Sequence, residues 1–321
     1  MSCRLSDQVR MSCRYVAQKA RHVRIDLDRI IPYVETLPLA ESAIPAMDPQ
    51  CHYLNRGEDT VAFILTLDTV NFGSGYFPFL KKFPGMSGYF TVAKSLTDRW
   101  RTDGPLSAET LSRLTSEDCR ILFGQDPDNA PIKELMRHFA AALNDLGRCI
   151  LERYGGRFSG LVEEADFSTQ KLVRLLIGMP YFNDVAGYAG MPVAFFKRAQ
   201  LTASDLSTAF SEKGPGYFTD LHCLTIFADN LVPHVLKTDG ILSYEPGLSS
   251  KILRHALIPA GSEEEVEIRA CAVHAAELIK SACNKNGCPV TAMALDYLLW
   301  NRGQHPAYKV IPRHRTRSIF Y

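Results

Sequence analysis

One run, PIKELMRHFAAALNDLGRCILERYGG (131–156), constrains the fold of this chain more than any other stretch. Ile132, Leu135, Met136, Phe139, Leu143, Leu146 and Ile150 recur at intervals of three and four, the spacing of a single helical face. Pro131 falls where a first helical turn tolerates proline, and Gly155-Gly156 supplies the stop. A helix with one apolar stripe has to bury it against other elements, so this run is scaffold, and its neighbours are expected to be helical too.

They are read so. Residues 8–22 carry Val9, Met11, Val16 and Ala17 among charged positions, an amphipathic helix, and IDLDRIIPYVETLP after them is broken at Pro32. Residues 60–79, TVAFILTLDTVNFGSGYFPF, are the most apolar of the first part. Val61, Phe63, Ile64 and Thr66 favour a strand by propensity, but a short apolar run does not decide between strand and buried helix. The region 88–160 reads as helical throughout, and 169–178 forms another helix ended by Gly178-Met179-Pro180. The segment YFNDVAGYAGMP (181–192) reads as a turn-rich surface loop. Residues 195–230 read as two helices joined by a glycine-containing turn, with Asp229 near the middle of the apolar second one. Ser262 followed by Glu263, Glu264 and Glu265 has the pattern of a helix start. Residues 291–304 make the last clear helix, with Gly303 placed to end it, and the aromatic end Phe320-Tyr321 is expected to tuck back. The expected architecture is mainly α: many helices, few strands, one compact helical body over 1–321, built as a single mass or as two tightly packed lobes.

Composition narrows the function classes. With 36 basic and 35 acidic residues, net charge +1, the chain lacks the basic stripe of a duplex-gripping protein and suits a small substrate. There is neither an apolar run of bilayer length nor an apolar signal region at the N-terminus, which reads as a cytoplasmic protein without membrane contact. Nine dispersed cysteines without a C-x-x-C read as reduced thiols rather than a zinc site, and Cys223 as a small buried hydrophobe. No metal or cofactor is expected. Glycine-rich nucleotide loops, H-E-x-x-H and G-x-S-x-G are all missing.

Two sets of residues carry chemistry. Lys197 and Asp229 pair a cation with an acid set in Leu-Thr-Ile-Phe-Ala-Asp, where an anion is costly without a partner. The bland alternative is a structural ion pair or a solvent-facing acid. Asp68, Asn71 and Phe72 place an acid, an amide and a ring within five residues, which suits the edge and face of a purine-like base. A helix end, with Asn71 capping and Phe72 in the core, is the other reading of those three.

Several blocks together resemble the queuosine salvage protein family. They are LTLDTVNF with the following YFP (65–78), FFKRAQLTASDLSTAF (195–210), LTIFADNLVP (224–233), EEEVEIRACAV (263–273), LDYLLWNRG (295–303) and HRTRSIFY (314–321), in order along nearly the whole chain. Two departures stand out: Gly73-Ser74-Gly75-Tyr76-Phe77 replaces a Cys-Phe-Trp-like run, and Asn230-Leu231 replaces Tyr-Arg after the acid. The resemblance implies a helical fold whose catalytic half is similar to helix-hairpin-helix DNA glycosylases, with KGPGY (213–217) a loose echo of the hairpin. It implies hydrolysis of queuosine 5′-monophosphate to queuine and ribose 5-phosphate, as part of queuine salvage for tRNA modification, without direct contact to nucleic acid. Asp229 and Lys197 would then be catalytic, and Asp68, Asn71, Phe72, Phe182, Asp184, Phe196 and Arg198 substrate-binding, with Arg198 the one of these that its position on the helix also suits to a purely structural role. His52, Arg315 and Arg317 are the open choices for the 5′-phosphate. The competing classes are a DNA or RNA base glycosylase, which needs a basic track and a base-flipping wedge, and a non-enzymatic helical binding protein.

Overall fold

A computed structural model describes residues 4–39, 44 and 46–321. In chain order the elements are α1 (Arg4–Lys19), β1 (Val23–Ile25), α2 (Ile30–Thr36), α3 (Glu58–Thr69), α4 (Gly88–Asp103), α5 (Ala108–Leu111), α6 (Ser116–Leu122) and α7 (Ala130–Tyr154). There follow α8 (Phe158–Glu164), α9 (Thr169–Leu176), β2 (Val185–Tyr188), β3 (Met191–Ala194), α10 (Lys197–Ala209) and α11 (Val232–Thr238). The chain closes with β4 (Leu242–Tyr244), α12 (Pro246–Leu253), α13 (Glu263–Lys285), α14 (Ala292–Gln304) and α15 (Pro306–Lys309). The fold is mainly α. Two units are woven from alternating segments: Met1–Pro45, Asp184–Lys197 and Asp220–Arg317 in the first, Ala46–Asn183, Arg198–Thr219 and Ser318–Tyr321 in the second.

The second unit is built on α7. Its seven stripe residues are all buried, and α3, α5, α6 and α8 pack around it. Asn129 caps its start by accepting from the Ile132 N–H, and Gly155 ends it in the left-handed region at φ 61°. A side chain at Gly147 would lie 2.3 Å from the Ser112 nitrogen, so glycine there lets α5 approach. The apolar run at 60–69 is helical, and every residue from Thr60 to Thr69 is buried. Burial on all sides explains the missing periodicity and outweighs the β preference of Val61, Phe63 and Ile64. At the tail, the Tyr321 carbonyl accepts from the Gly73 and Ser74 N–H groups at 2.9 and 3.4 Å, so the chain does tuck back.

In the first unit α13 is central, packed by α1, α2, α11 and α14 and by β1 and β2. Ser262 caps it by accepting from the Glu265 N–H. Several local expectations are corrected here. Pro32 does not break a helix but sits in the opening turn of α2, where its missing N–H is harmless. The expected loop at 181–192 contains the β2–β3 hairpin, with Val185 opposite Ala194 and Tyr188 opposite Met191. Its turn residues Ala189 and Gly190 both have positive φ, 48° and 80°, as the tight hairpin turn requires. Gly303 does not end α14 but lies within it, where a Cβ would come 2.8 Å from a Leu231 methyl carbon, so it serves the close approach of α14 to the chain around α11.

Candidate active site

The largest correction concerns Asp229. Residues 224–228 carry no regular secondary structure, Asp229 and Asn230 lie in a bend, and the helix begins only at Val232. The acid therefore precedes α11 instead of standing in its middle. Pro233 explains the shift, because proline is welcome in a first turn and disruptive later. One carboxylate oxygen, Oδ1, accepts from the N–H groups of Leu231 at 2.6 Å and Val232 at 3.2 Å. Asp229 itself is half-buried.

The segment leading to this acid is clamped from two long helices. Asp296 on α14 accepts the Phe227 N–H at 2.7 Å, and Arg269 on α13 donates from Nε to the Ala228 carbonyl at 3.0 Å. The rest of the Arg269 guanidinium is spent on acids. It donates to Asp184 Oδ1 at 3.0 Å and Oδ2 at 2.6 Å, reaches Glu265 Oε1 at 3.5 Å, and lies 3.9 Å from the Phe195 ring centroid. Arg269, Asp184 and Glu265 are all about 2% exposed. Such a fork-to-fork pair holds geometry as well as charge.

Asp184 carries the same fixation to the start of α10. Its Oδ2 accepts the Lys197 N–H at 3.3 Å, and its carbonyl accepts the N–H groups of Phe195 at 2.9 Å and Phe196 at 3.2 Å. Phe196 is held at φ 49°, a left-handed conformation that is uncommon for a bulky residue and persists only when its surroundings impose it. Asp184, Phe196, Lys197 and Asp229 thus belong to one unit, with Arg269 tying the first of them to the neighbour of the last. Lys197 is buried at the first position of α10.

Arg313 and His314 complete this region. Desolvation lowers the pKa of Arg313, and the Asp229 carboxylate opposes that, which places the two charges within electrostatic reach. His314 is buried, and its pKa is held down to about 3, first by burial and then by the charges of Arg313 and Arg269. Folded His314 therefore stays neutral where an unfolded histidine protonates, near pH 6.5. Below that pH the unfolded state binds more protons, so stability falls as pH drops from about 6.5 towards 3, by up to about 1.4 kcal/mol per pH unit from this group. We expect His314→Gln to reduce the loss of stability between pH 7 and pH 5, measured by urea midpoints at the two pH values.

In the second unit Asp68, Asn71, Phe72, Phe182 and Arg198 come together. Asp68 is buried near the end of α3, Asn71 is partly exposed beyond it, and Phe72 and Phe182 are each 1% exposed. The Arg198 guanidinium lies 4.7 Å from the Phe72 ring centroid and 4.9 Å from that of Phe182. It donates to the carbonyls of Asp68, Thr69, Tyr181 and Ile319, joining α3, the turn after α9 and the C-terminal segment. Arg198 thus fixes the backbone on which the acid and rings are mounted. His52 is committed locally, to the Asp48 carbonyl at 2.8 Å and the Tyr89 hydroxyl at 3.0 Å.

Reading the residues overlooked Arg269, Glu265, Asp296 and Arg313. Arg269 had a signal: Val266, Ile268, Ala270, Cys271 and Val273 surround it with apolar positions, so it had to be buried, and a buried arginine needs acids. Cys223 is disulfide-bonded, which corrects the expectation of reduced thiols at that position. As for metals, His22, Glu245 and Glu264 offer ligand atoms within 4.8 Å of one another. Lys251 already pairs with Glu264 at 2.7 Å, and Glu245 caps α12 by accepting from the Leu248 N–H. Among the described residues no helix is long and apolar enough to cross a membrane.

This mainly α chain, with its clamped acid in one unit and buried rings in the other, matches one family over most of its length. Residues 51–321 match the queuosine salvage protein family, and the chain belongs to it. It is 36% identical over 313 residues to the queuosine 5′-phosphate N-glycosylase/hydrolase of Sphaerobacter thermophilus, covering 96% of each chain. The Bos taurus protein of the same name is 32% identical, covering 97% of this chain and 98% of that one. That of Dictyostelium discoideum is 34% identical over 266 residues, covering 82% and 79%.

Proposed function

We propose that this chain hydrolyses the N-glycosidic bond of queuosine 5′-monophosphate, releasing queuine and ribose 5-phosphate, and that it acts in the cytoplasm on the free nucleotide and not on RNA. The observation that supports the reading is the carboxylate of Asp229, which follows a segment whose backbone is fixed at two consecutive residues, Phe227 and Ala228. Cleavage of the bond leaves an oxocarbenium-like ribose. A preorganised anion facing C1′ stabilises that charge without having to reorganise during the reaction. Water then supplies the hydroxyl to C1′, and its proton leaves with the base.

A 7-deazapurine lacks the ring N7 that ordinary purine hydrolysis can protonate, so departure depends on hydrogen bonds to other base atoms. In this reading Asp68, Asn71, Phe72, Phe182, Asp184, Phe196 and Arg198 form the base-binding set. Arg198 and Asp184 act within it by holding backbone in place, because their own polar atoms are engaged with carbonyls, Arg269 and an N–H group. Lys197 supplies a buried cation in the same unit as the acid, for alignment of the acid or for contact with the ribose phosphate. The reaction needs no cofactor.

The test is incubation of the purified protein with queuosine 5′-monophosphate and detection of free queuine. Queuine is expected from the nucleotide and not from queuosine-containing tRNA. Release from tRNA alone points to an RNA glycosylase, and release from neither removes the enzymatic reading.

A further inference from the structure

Within the first unit a cavity of about 70 Å³ is lined by His234, Lys237, Ser249, Ile252, Arg313 and His314, among others. About 10–15 Å³ of such space admits one water, so there is room for a small oxyanion. Two cations line it, and no acid does. Neither the Lys237 ammonium nor the Arg313 guanidinium forms an ion pair among the described residues. Asp239, two residues after Lys237, is already held by Tyr33 at 2.7 Å, Tyr308 at 2.5 Å and Arg302 at 3.1 Å. Burial lowers the pKa of both histidines; His234 contacts the Tyr308 carbonyl at 2.9 Å through Nε2, so that nitrogen is the donor. The cavity is thus lined by two cations and by no acid, an arrangement that suits a phosphate.

Arg313 belongs to two places at once. It lines the cavity and lies within electrostatic reach of Asp229. From this we infer that the cavity is the subsite for the phosphate monoester of the substrate, with Lys237 and Arg313 as its cationic walls and the Ser249 hydroxyl as a further donor. The inference rests on the proposed nucleotide hydrolysis. It places the phosphate apart from His52, whose ring nitrogens are both in use. A phosphate held here anchors the ribose beside Asp229 by a group remote from the bond that breaks, which converts binding energy into alignment.

The experiment compares wild type with Lys237→Gln on queuosine 5′-monophosphate and on unphosphorylated queuosine. Wild type is expected to prefer the phosphorylated substrate in kcat/KM, and Lys237→Gln to shrink that preference about tenfold, the worth of one charge-assisted contact. Inorganic phosphate should compete with the nucleotide for wild type and more weakly for the variant. An unchanged preference overturns the subsite, and so does phosphate that binds without competing, which marks a site for free phosphate. If wild type releases queuine from neither substrate, the hydrolase reading fails. Calorimetry with inorganic phosphate then still decides the cavity: binding that Lys237→Gln removes upholds an oxyanion site, and absence of binding by wild type overturns it.

Discussion

Asp229→Asn lowers the rate of queuine release by about 10²-fold or more, the scale on which a preorganised electrostatic contact to a transition state acts, and leaves the melting temperature close to that of wild type. Asparagine is chosen because Asp229 has two separable jobs. Its Oδ1 accepts from the Leu231 and Val232 N–H groups, which fixes the bend and opens α11. An amide oxygen keeps both bonds. Only the negative charge is removed, and charge is what a developing ribose cation responds to. Asp229→Ala loses the charge and both backbone hydrogen bonds together, so it adds about 1 kcal/mol of destabilisation to the same loss of rate. A pair of variants that differ in stability but not in residual activity assigns the effect to charge. Retention of near-normal rates by Asp229→Asn removes this acid from the mechanism. Free queuine should still bind to the Asn variant, since no base contact is assigned to position 229.

The elements legible from sequence are those whose stability is written locally. α7 shows its stripe, its cap at Asn129 and its stop at Gly155 within a single continuous segment, and α13 shows Ser262 and three acids at its start. The β2–β3 hairpin was hidden because four-residue strands carry too few positions for alternation, and its turn is Ala189-Gly190 instead of a familiar Asn-Gly. The irregular approach to Asp229 reads as helix in the sequence for a different reason. Leu224, Ile226 and Phe227 are apolar enough for a helix, and what holds this segment in place comes from far along the chain, from Asp296 and Arg269. Lys197, Asp229 and Phe72 are candidates proposed from residue type, and Phe182 and Phe196 from the family resemblance. The arginine that organises the acid's surroundings is not among them, because its partners lie at 184, 228 and 265, and no local pattern joins those positions.

Arg269 is accordingly where a single substitution should cost the most stability. Arg269→Met is expected to destabilise the protein by about 3–5 kcal/mol, the penalty for leaving a buried charge without its partner. Asp184 keeps only the 3.3 Å bond from the Lys197 N–H, and Glu265 also loses a cation. The double variant Arg269→Met with Asp184→Leu should recover part of the loss, because the stranded carboxylate is removed together with the guanidinium. Arg269→Lys separates stability from alignment. A lysine restores positive charge but not the planar fork that grips both Asp184 oxygens while a third nitrogen holds the Ala228 carbonyl. It should regain more of the denaturant midpoint than of kcat, with KM for the nucleotide changed less than kcat. A variant with the wild-type midpoint and the wild-type kcat would mean that the segment before Asp229 is positioned without this arginine, and the clamp would then reduce to Asp296 alone.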